Sequence, residues 1–243
     1  VNVSDLAAKG AMPKACLLNF APNKNVSEDW IAAFARQVEV ALKTYRIQLL
    51  GGDTVAAPDK AMFSLTLMGE VATGGMIQRA GAKIGDSIFV TGTIGHGFIG
   101  LEDAKAGRLS PCRDLFEHPQ PPLDFALAAA PYMSAAVDVS DGLLSDLGHV
   151  CDASFCGMQI DMTSIPFADP AYEDLMTQLN GGDDYQLAFT APSKNYGKLK
   201  QFAADQSIQL TKIGHIIIGS ELVLQDTDGA TLKILPGRIS SLL

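Results

Sequence analysis

Val137-Asp138-Val139-Ser140-Asp141-Gly142-Leu143-Leu144-Ser145-Asp146-Leu147 changes its periodicity half-way along. The opening is a short β-branched run that carries two carboxylates, Asp138 and Asp141. After Gly142, apolar residues fall at Leu143, Leu144, Leu147, Val150 and Cys151, one face of a 3.6-residue period. The spacing predicts a strand handing over to a helix. Ser140 is the expected N-cap, with Asp141 in the first turn, where the helix dipole favours negative charge. Asp138 would end the strand, where open α/β sheets place ligands. Two readings of the pair stand side by side: helix capping, and a cradle for a divalent cation.

Upstream, Val1-Asn2-Val3-Ser4-Asp5-Leu6-Ala7-Ala8 echoes this junction (Val-Asn-Val-Ser-Asp against Val-Asp-Val-Ser-Asp) and predicts a helix ended by Gly10 and Pro13. The chain opens without Met inside this motif, so it is expected to be part of a longer protein. Ala15–Phe20 is a compact apolar run suited to a strand. Ser27 should cap a helix with Trp30, Ile31, Phe34, Val38 and Leu42 along its core-facing stripe. Arg46–Leu50 predicts a strand running into a Gly51-Gly52-Asp53-Thr54 loop, and Met62–Val71 a further strand. Around Arg79 the chain turns polar and glycine-bearing, which places a domain boundary near residue 80, between domains 1–80 and 81–243. Beyond it come a strand at Ser87–Thr91, a helix to about Ala106, a proline-bearing stretch over 108–122 with a turn of helix around Arg113–Phe116, and a helix over 123–133. After the junction, a strand is expected at Ile160–Met162 and a helix at Tyr172–Leu179. A strand at Tyr185–Thr190, a helix over 193–205, a strand over 208–217 and a hairpin turning at Asp228-Gly229 complete the pattern. The class is α/β or α+β with a mixed sheet.

Composition narrows the function. A formal charge of −9 with no Lys/Arg-rich block argues against nucleic acid or an anionic membrane surface as the main partner. An anionic small substrate stays open, because Mg²⁺ bridges carboxylates and phosphates. No apolar run approaches the ~18 residues of a membrane span, and no charged-then-apolar secretory leader is expected. Cys16, Cys112, Cys151 and Cys156 form no CxxC, so reduced thiols and a cytoplasmic location are expected.

Four acidic motifs stand out: Ser4-Asp5, Gly52-Asp53, Asp138–Asp141 and Gly181-Gly182-Asp183-Asp184. Gly-Gly lets backbone approach a ligand, and Asp supplies a hard oxygen. Any one copy is ordinary turn chemistry. Four copies at element ends favour a metal-dependent nucleotide site. Gly95-His96-Gly97-Phe98-Ile99-Gly100 matches G-x-G-x-x-G, but no strand ending in an acid follows about 20 residues on, so close helix packing explains it better than a dinucleotide. His96, His118, His149 and His215 have no partner at zinc-motif spacing. A nucleophile elbow and a Walker loop are both absent.

In order along the chain, Asn2–Ala8, Leu50–Thr54, Arg79–Asp86 with Val90-Thr91-Gly92, Asp138–Leu143 with Asp146–His149, and Gly181–Tyr185 resemble the thiamine-monophosphate kinase family of the aminoimidazole ribonucleotide synthetase-like superfamily. The resemblance implies a two-domain synthetase-like fold with mixed sheets flanked by helices, its N-terminal domain shortened here. It implies phosphorylation of thiamine monophosphate to thiamine diphosphate by ATP with Mg²⁺, and a homodimer paired through the N-terminal domains. Asp5, Asp53, Asp138 and Asp141 match its metal-binding acids. Gly52, Asp53, Arg79 and Ser140 match its ATP contacts, and Asp183 stands where a substrate-contacting Glu is usual.

The chain departs from the family in four places. Two upstream metal-binding loops would precede Val1. Asp183 and Gln186 replace acids of the family's Gly-Gly-Glu-Asp-Tyr-Glu, Leu123 replaces an Arg, and Gly237–Leu243 holds no aromatic. These departures imply little or no activity from this stretch alone. They keep open a synthetase with another acceptor, or a non-catalytic nucleotide-binding module. The implied chemistry needs no strong general base, since the acceptor is itself an anionic phosphate; positioning and charge neutralisation suffice.

Overall fold

The computed structural model describes residues 1–73, 75–226 and 229–234. In chain order they form α1 (Asn2–Ala8), β1 (Met12–Ala21), α2 (Glu28–Thr44), β2 (Gln48–Thr54), β3 (Met62–Glu70), β4 (Ser87–Thr91), α3 (His96–Lys105), α4 (Pro111–Glu117), α5 (Leu123–Ala129), β5 (Ala135–Asp138), α6 (Leu143–Ser154), β6 (Gly157–Asp161), α7 (Leu175–Asn180), β7 (Leu187–Ala191), α8 (Tyr196–Asp205), β8 (Leu210–Ile217), β9 (Leu222–Gln225) and β10 (Thr231–Ile234). Two compact units result, one of residues 11–72, the other of residues 3–10 together with the chain from Thr73 onward. Helix α1 is thus separated in sequence from the unit it joins.

The smaller unit is a three-stranded sheet in the order β2-β1-β3, with β1 parallel to β2 and antiparallel to β3. Ser27 caps α2 as its sequence predicts, its side chain accepting from the Trp30 N–H. The apolar stripe of α2 is not a sealed core, however. Trp30 and Phe34 cluster with Phe20 and Phe63, rings 4.7–6.3 Å apart, yet no residue of α2 is fully buried. One helix over three strands has too little surface to enclose large aromatics. A cleft of about 540 Å³ lies between α2 and the sheet, lined by Leu18, Phe34, Val38, Leu49 and Gly52 among others.

The larger unit is built on a seven-stranded mixed sheet, β10-β9-β6-β8-β4-β7-β5, antiparallel except for the β6–β9 pair. Its central strands β4 and β7 are buried along their whole length. Alternation along β4 divides the core into two. Ile88 and Val90 join Val137, Leu143, Leu147, Ile160 and Ile213 in one cluster that includes α6. Phe89 points the other way, its ring 5.3 Å from Phe189 and 5.3 Å from Tyr196 of α8, while Phe125 of α5 lies 5.9 Å from Phe189. Helices therefore cover both faces, and the mixed-sheet class expected from the sequence is the one found.

The proline-bearing stretch holds a full helix, α4, with Ser110 as N-cap and Pro111 at the first turn, where proline loses no hydrogen bond. Asp228 of the expected hairpin turn and residues 237–243 lie outside the described residues. The flanking strands β9 and β10 pair as the hairpin requires.

Candidate functional site

Strand β5 ends on Asp138, which is buried, and α6 begins at Leu143. The loop between them corrects one expectation. Ser140 is not the N-cap and Asp141 is not in the first turn: Gly142, at φ 106°, caps the helix, and Asp146 is the acid of its first turn. The reason is Asp146 itself. Its Oδ2 reaches back to accept the N–H groups of Ser140 and Asp141, each at 3.0 Å. That carboxylate does the capping work expected of Ser140, so the Asp141 side chain is not used for capping and stands exposed. Burial pushes the Asp146 carboxyl up to about 7; the nearby Asp141 and Asp138 carboxylates add to this, against the two backbone N–H groups.

Asp5 belongs to the same unit. It lies on α1 rather than in a loop, because the chain from Asn2 to Ala8 is continuously helical. Partial desolvation, then the Asp138 carboxylate, pushes the Asp5 carboxyl above its usual range, while Lys9 and Arg79 pull it down. Asp5, Lys9, Arg79 and Asp138 are therefore electrostatic neighbours. Lys9, the C-cap of α1 four residues after Asp5, escaped the sequence reading. Burial lowers the Lys9 ammonium, as does the Arg79 guanidinium beside it.

Gly182, Asp183 and Asp184 fold against this junction. The Asp183 N–H donates to the Ser140 carbonyl at 3.0 Å, and the Tyr185 N–H to that of Val139 at 2.8 Å. Asp183 adopts φ 57°, and its Oδ1 accepts from the Tyr185 hydroxyl at 2.7 Å. Asp184 turns inward. Its carboxylate accepts from Gly95 N at 2.9 Å and Gly97 N at 2.9 Å, with His96 Nδ1 3.3 Å away. This explains the glycine-rich motif without a dinucleotide: a Cβ on Gly97 would lie 2.4 Å from the Gly182 carbonyl oxygen. Gln186, just before β7, accepts from Thr91 Oγ1 of β4 at 2.9 Å, and Leu123 is buried at the start of α5.

Gly52 and Asp53 belong to the smaller unit. They lie within β2 rather than in a loop after it, because the strand continues in parallel register with β1 through Leu18–Gly52 and Asn19–Asp53. The Asp53 N–H donates to Asn19 Oδ1 at 3.0 Å, and Asp53 Oδ1 accepts from the Thr54 N–H at 2.8 Å. A Cβ on Gly52 would sit 1.7 Å from the Leu18 carbonyl oxygen, so the sheet alone requires this glycine.

In the larger unit the donor set is hard oxygen: the Asp138 carboxylate raises the affinity of Asp5 for protons, and Asp141 and Asp138 raise that of Asp146. Crowded carboxylates of this kind fit a divalent cation such as Mg²⁺. One oxygen each of Asp141 and Asp146 and a ring nitrogen of His149 lie within 4.8 Å of one another. A search for zinc-type spacing passes over that group, because its partners are aspartates and one of them precedes the helix.

Two family matches divide the chain: the AIR synthase related protein N-terminal domain over residues 1–71 and its C-terminal domain over residues 83–227. The thiamine-monophosphate kinase of Salmonella typhimurium is 37% identical over 230 residues, 89% of this chain and 70% of that protein. Among solved structures, the Stenotrophomonas maltophilia thiamine-monophosphate kinase superposes with a TM-score of 0.86 at 35% identity, covering 94% of this chain and 77% of that one. AaThiL complexed with AMPPCP and TMP superposes with a TM-score of 0.83 at 26% identity, over 96% of this chain and 76% of its own. With both halves matched in order and the acidic junction at the end of β5, this chain belongs to the thiamine-monophosphate kinase family of AIR synthase-related proteins.

Proposed function

We propose that the protein transfers the γ-phosphoryl group of ATP to the phosphate of thiamine monophosphate, giving thiamine diphosphate. The observation that carries this reading is the junction at the end of β5, where the Asp138 carboxylate raises the proton affinity of Asp5 in a place that also holds Lys9 and Arg79. Such a site suits a bound polyanion that brings its own divalent cation. Mg²⁺ supplies charge neutralisation between two phosphates that would otherwise repel.

The chain's own residues have separable tasks. Asp5, Asp138 and Asp141, all in the larger unit, hold the metal. Arg79 adds a fixed positive charge that meets phosphate oxygens in a fork. Ser140 offers a hydroxyl to ATP. Asp183, held by Tyr185, faces the acceptor. No residue is assigned as a general base, since the acceptor phosphate is already ionised at neutral pH.

We place the protein in the cytoplasm, a location supported by four free cysteines, three of them buried. Among the described residues no helix is long and apolar enough to cross a membrane. The deciding experiment incubates the full-length protein, with its own amino terminus, with ATP, MgCl₂ and thiamine monophosphate and identifies products by mass spectrometry. Thiamine diphosphate with stoichiometric ADP is expected. Mg·ATP binding without product would assign a non-catalytic role, and product from another acceptor would assign another synthetase.

A further inference from the structure

Ser140 and Asp141 sit between a strand and a helix, so neither ladder satisfies their N–H groups. One side-chain oxygen satisfies both: Asp146 Oδ2, at 3.0 Å from each. Asp146 is 1% exposed, and it lies on the first turn of α6 among Leu143, Leu144 and Leu147, which are fully buried. The other side of the same loop is fixed by backbone alone. The Ser140 carbonyl accepts from Asp183 N at 3.0 Å, and Val139 exchanges bonds with Tyr185 and Gln186 at 2.8 Å each. A Cβ on Gly182 would lie 2.4 Å from the Ser140 oxygen, so that contact has no slack. Asp146 is thus the side chain that sets the remaining face of the loop.

From this geometry we infer that Asp146 is a positioning residue, which holds Ser140 and Asp141 in the conformation that meets the metal–nucleotide complex and does so as a hydrogen-bond acceptor rather than as a charge. The inference rests on the proposed nucleotide and metal roles of Ser140 and Asp141. A buried acceptor shared by two loop N–H groups fixes both residues against packed helix, which is how a supporting shell makes a site precise. The rival role is ligation, since an Asp146 oxygen lies within 4.8 Å of both an Asp141 oxygen and a His149 nitrogen. A ligand needs the negative charge. A positioning residue needs only the oxygen in place.

Two substitutions separate these requirements. Asp146→Asn keeps an acceptor oxygen at the same reach and removes the charge, whereas Asp146→Glu keeps the charge and displaces the oxygen by one methylene. Binding of Mg·AMPPCP by calorimetry, kcat and KM, and amide hydrogen exchange at Ser140 and Asp141 in the ligand-free protein are measured for both. Asp146→Asn should bind within roughly threefold of the parent and retain amide protection, while Asp146→Glu should lose protection and weaken binding by about tenfold or more, the size expected for two lost backbone hydrogen bonds. Asp146→Ala should resemble the Glu variant; if it fails to fold, the Asn–Glu comparison decides alone. Binding retained by Glu and lost by Asn, or indistinguishable behaviour of the two, overturns the inference. If the parent protein does not bind Mg·AMPPCP, the proposed function fails, while the exchange comparison still decides what Asp146 does.

Discussion

Asp138 and Asp141 differ in burial and in task. Asp138 is almost enclosed at the end of β5, and Asp141 is exposed on the loop. Removing either charge while keeping the shape should expose their shared role. Asp138→Asn and Asp141→Asn are each expected to lower turnover by about 10²-fold or more, the scale of a lost electrostatic contribution to a transition state. Near-parental turnover in both variants at saturating Mg²⁺ would remove them from the site. At this scale the sequence was partly legible. Asp138 could be placed at a strand end because the β-branched run of Val137 and Val139 gives way to Ser140-Asp141-Gly142 and then to a helical period. Asp146 was hidden, because a buried acid reaching backwards leaves no periodic signal. Lys9 was hidden because its significance depends on Arg79 and Asp138, which are distant in sequence.

Elements were legible where local pattern and tertiary environment agree. Ser87–Thr91 was bounded correctly because its apolar run is flanked by Asp86 and Gly92 and buried on both faces. The stripe of α2 misled because helical spacing reports which face is apolar, and not how much protein is available to cover it. The α3–α4 pair gives a prediction that depends on pH. Hydrogen bonds from Ser110 and Arg108 hold the Asp103 carboxyl below the usual carboxylate range. A depressed folded-state value means that its stabilisation is full above the unfolded value of about 3.9 and is lost as pH falls through the folded one. Asp103→Asn should therefore melt at a lower temperature than the parent at pH 7, with the gap closing as the pH is taken below about 4. A gap independent of pH would deny the charge any part. At the start of α3, Gly97→Ala should destabilise by about 1–3 kcal/mol from overpacking against the backbone of Gly182 and Asp183. Chemical denaturation measures this, and an unchanged midpoint would refute the close approach.

For the whole molecule, the smaller unit carries much apolar surface in contact with water. Trp30, Leu49, Leu50, Met62 and Phe63 are all exposed. Single exposed apolar residues need no explanation, but a concentration of them within one small unit marks an interaction surface. We expect a homodimer that uses this unit. Light scattering should give twice the monomer mass, and Phe63→Glu should shift the population to monomer without abolishing folding of the larger unit. A parental monomer at micromolar concentration would end that expectation. The two-unit architecture was only partly readable, because α1 packs with residues that follow it by more than sixty positions and its sequence does not say so.

The carboxylate of Asp184 at the start of α3 has a kinetic consequence. Its bond to the Gly95 N–H spans 89 residues of chain. Until the segment leading into β7 has docked beside β4, the first turn of α3 has no anion at its positive end, and its two amides have only water to accept from them. Closing so long a loop costs entropy before the contact repays it. Pulse-labelled hydrogen exchange during refolding is therefore expected to protect the first-turn amides of α3 no earlier than those of β4 and β7.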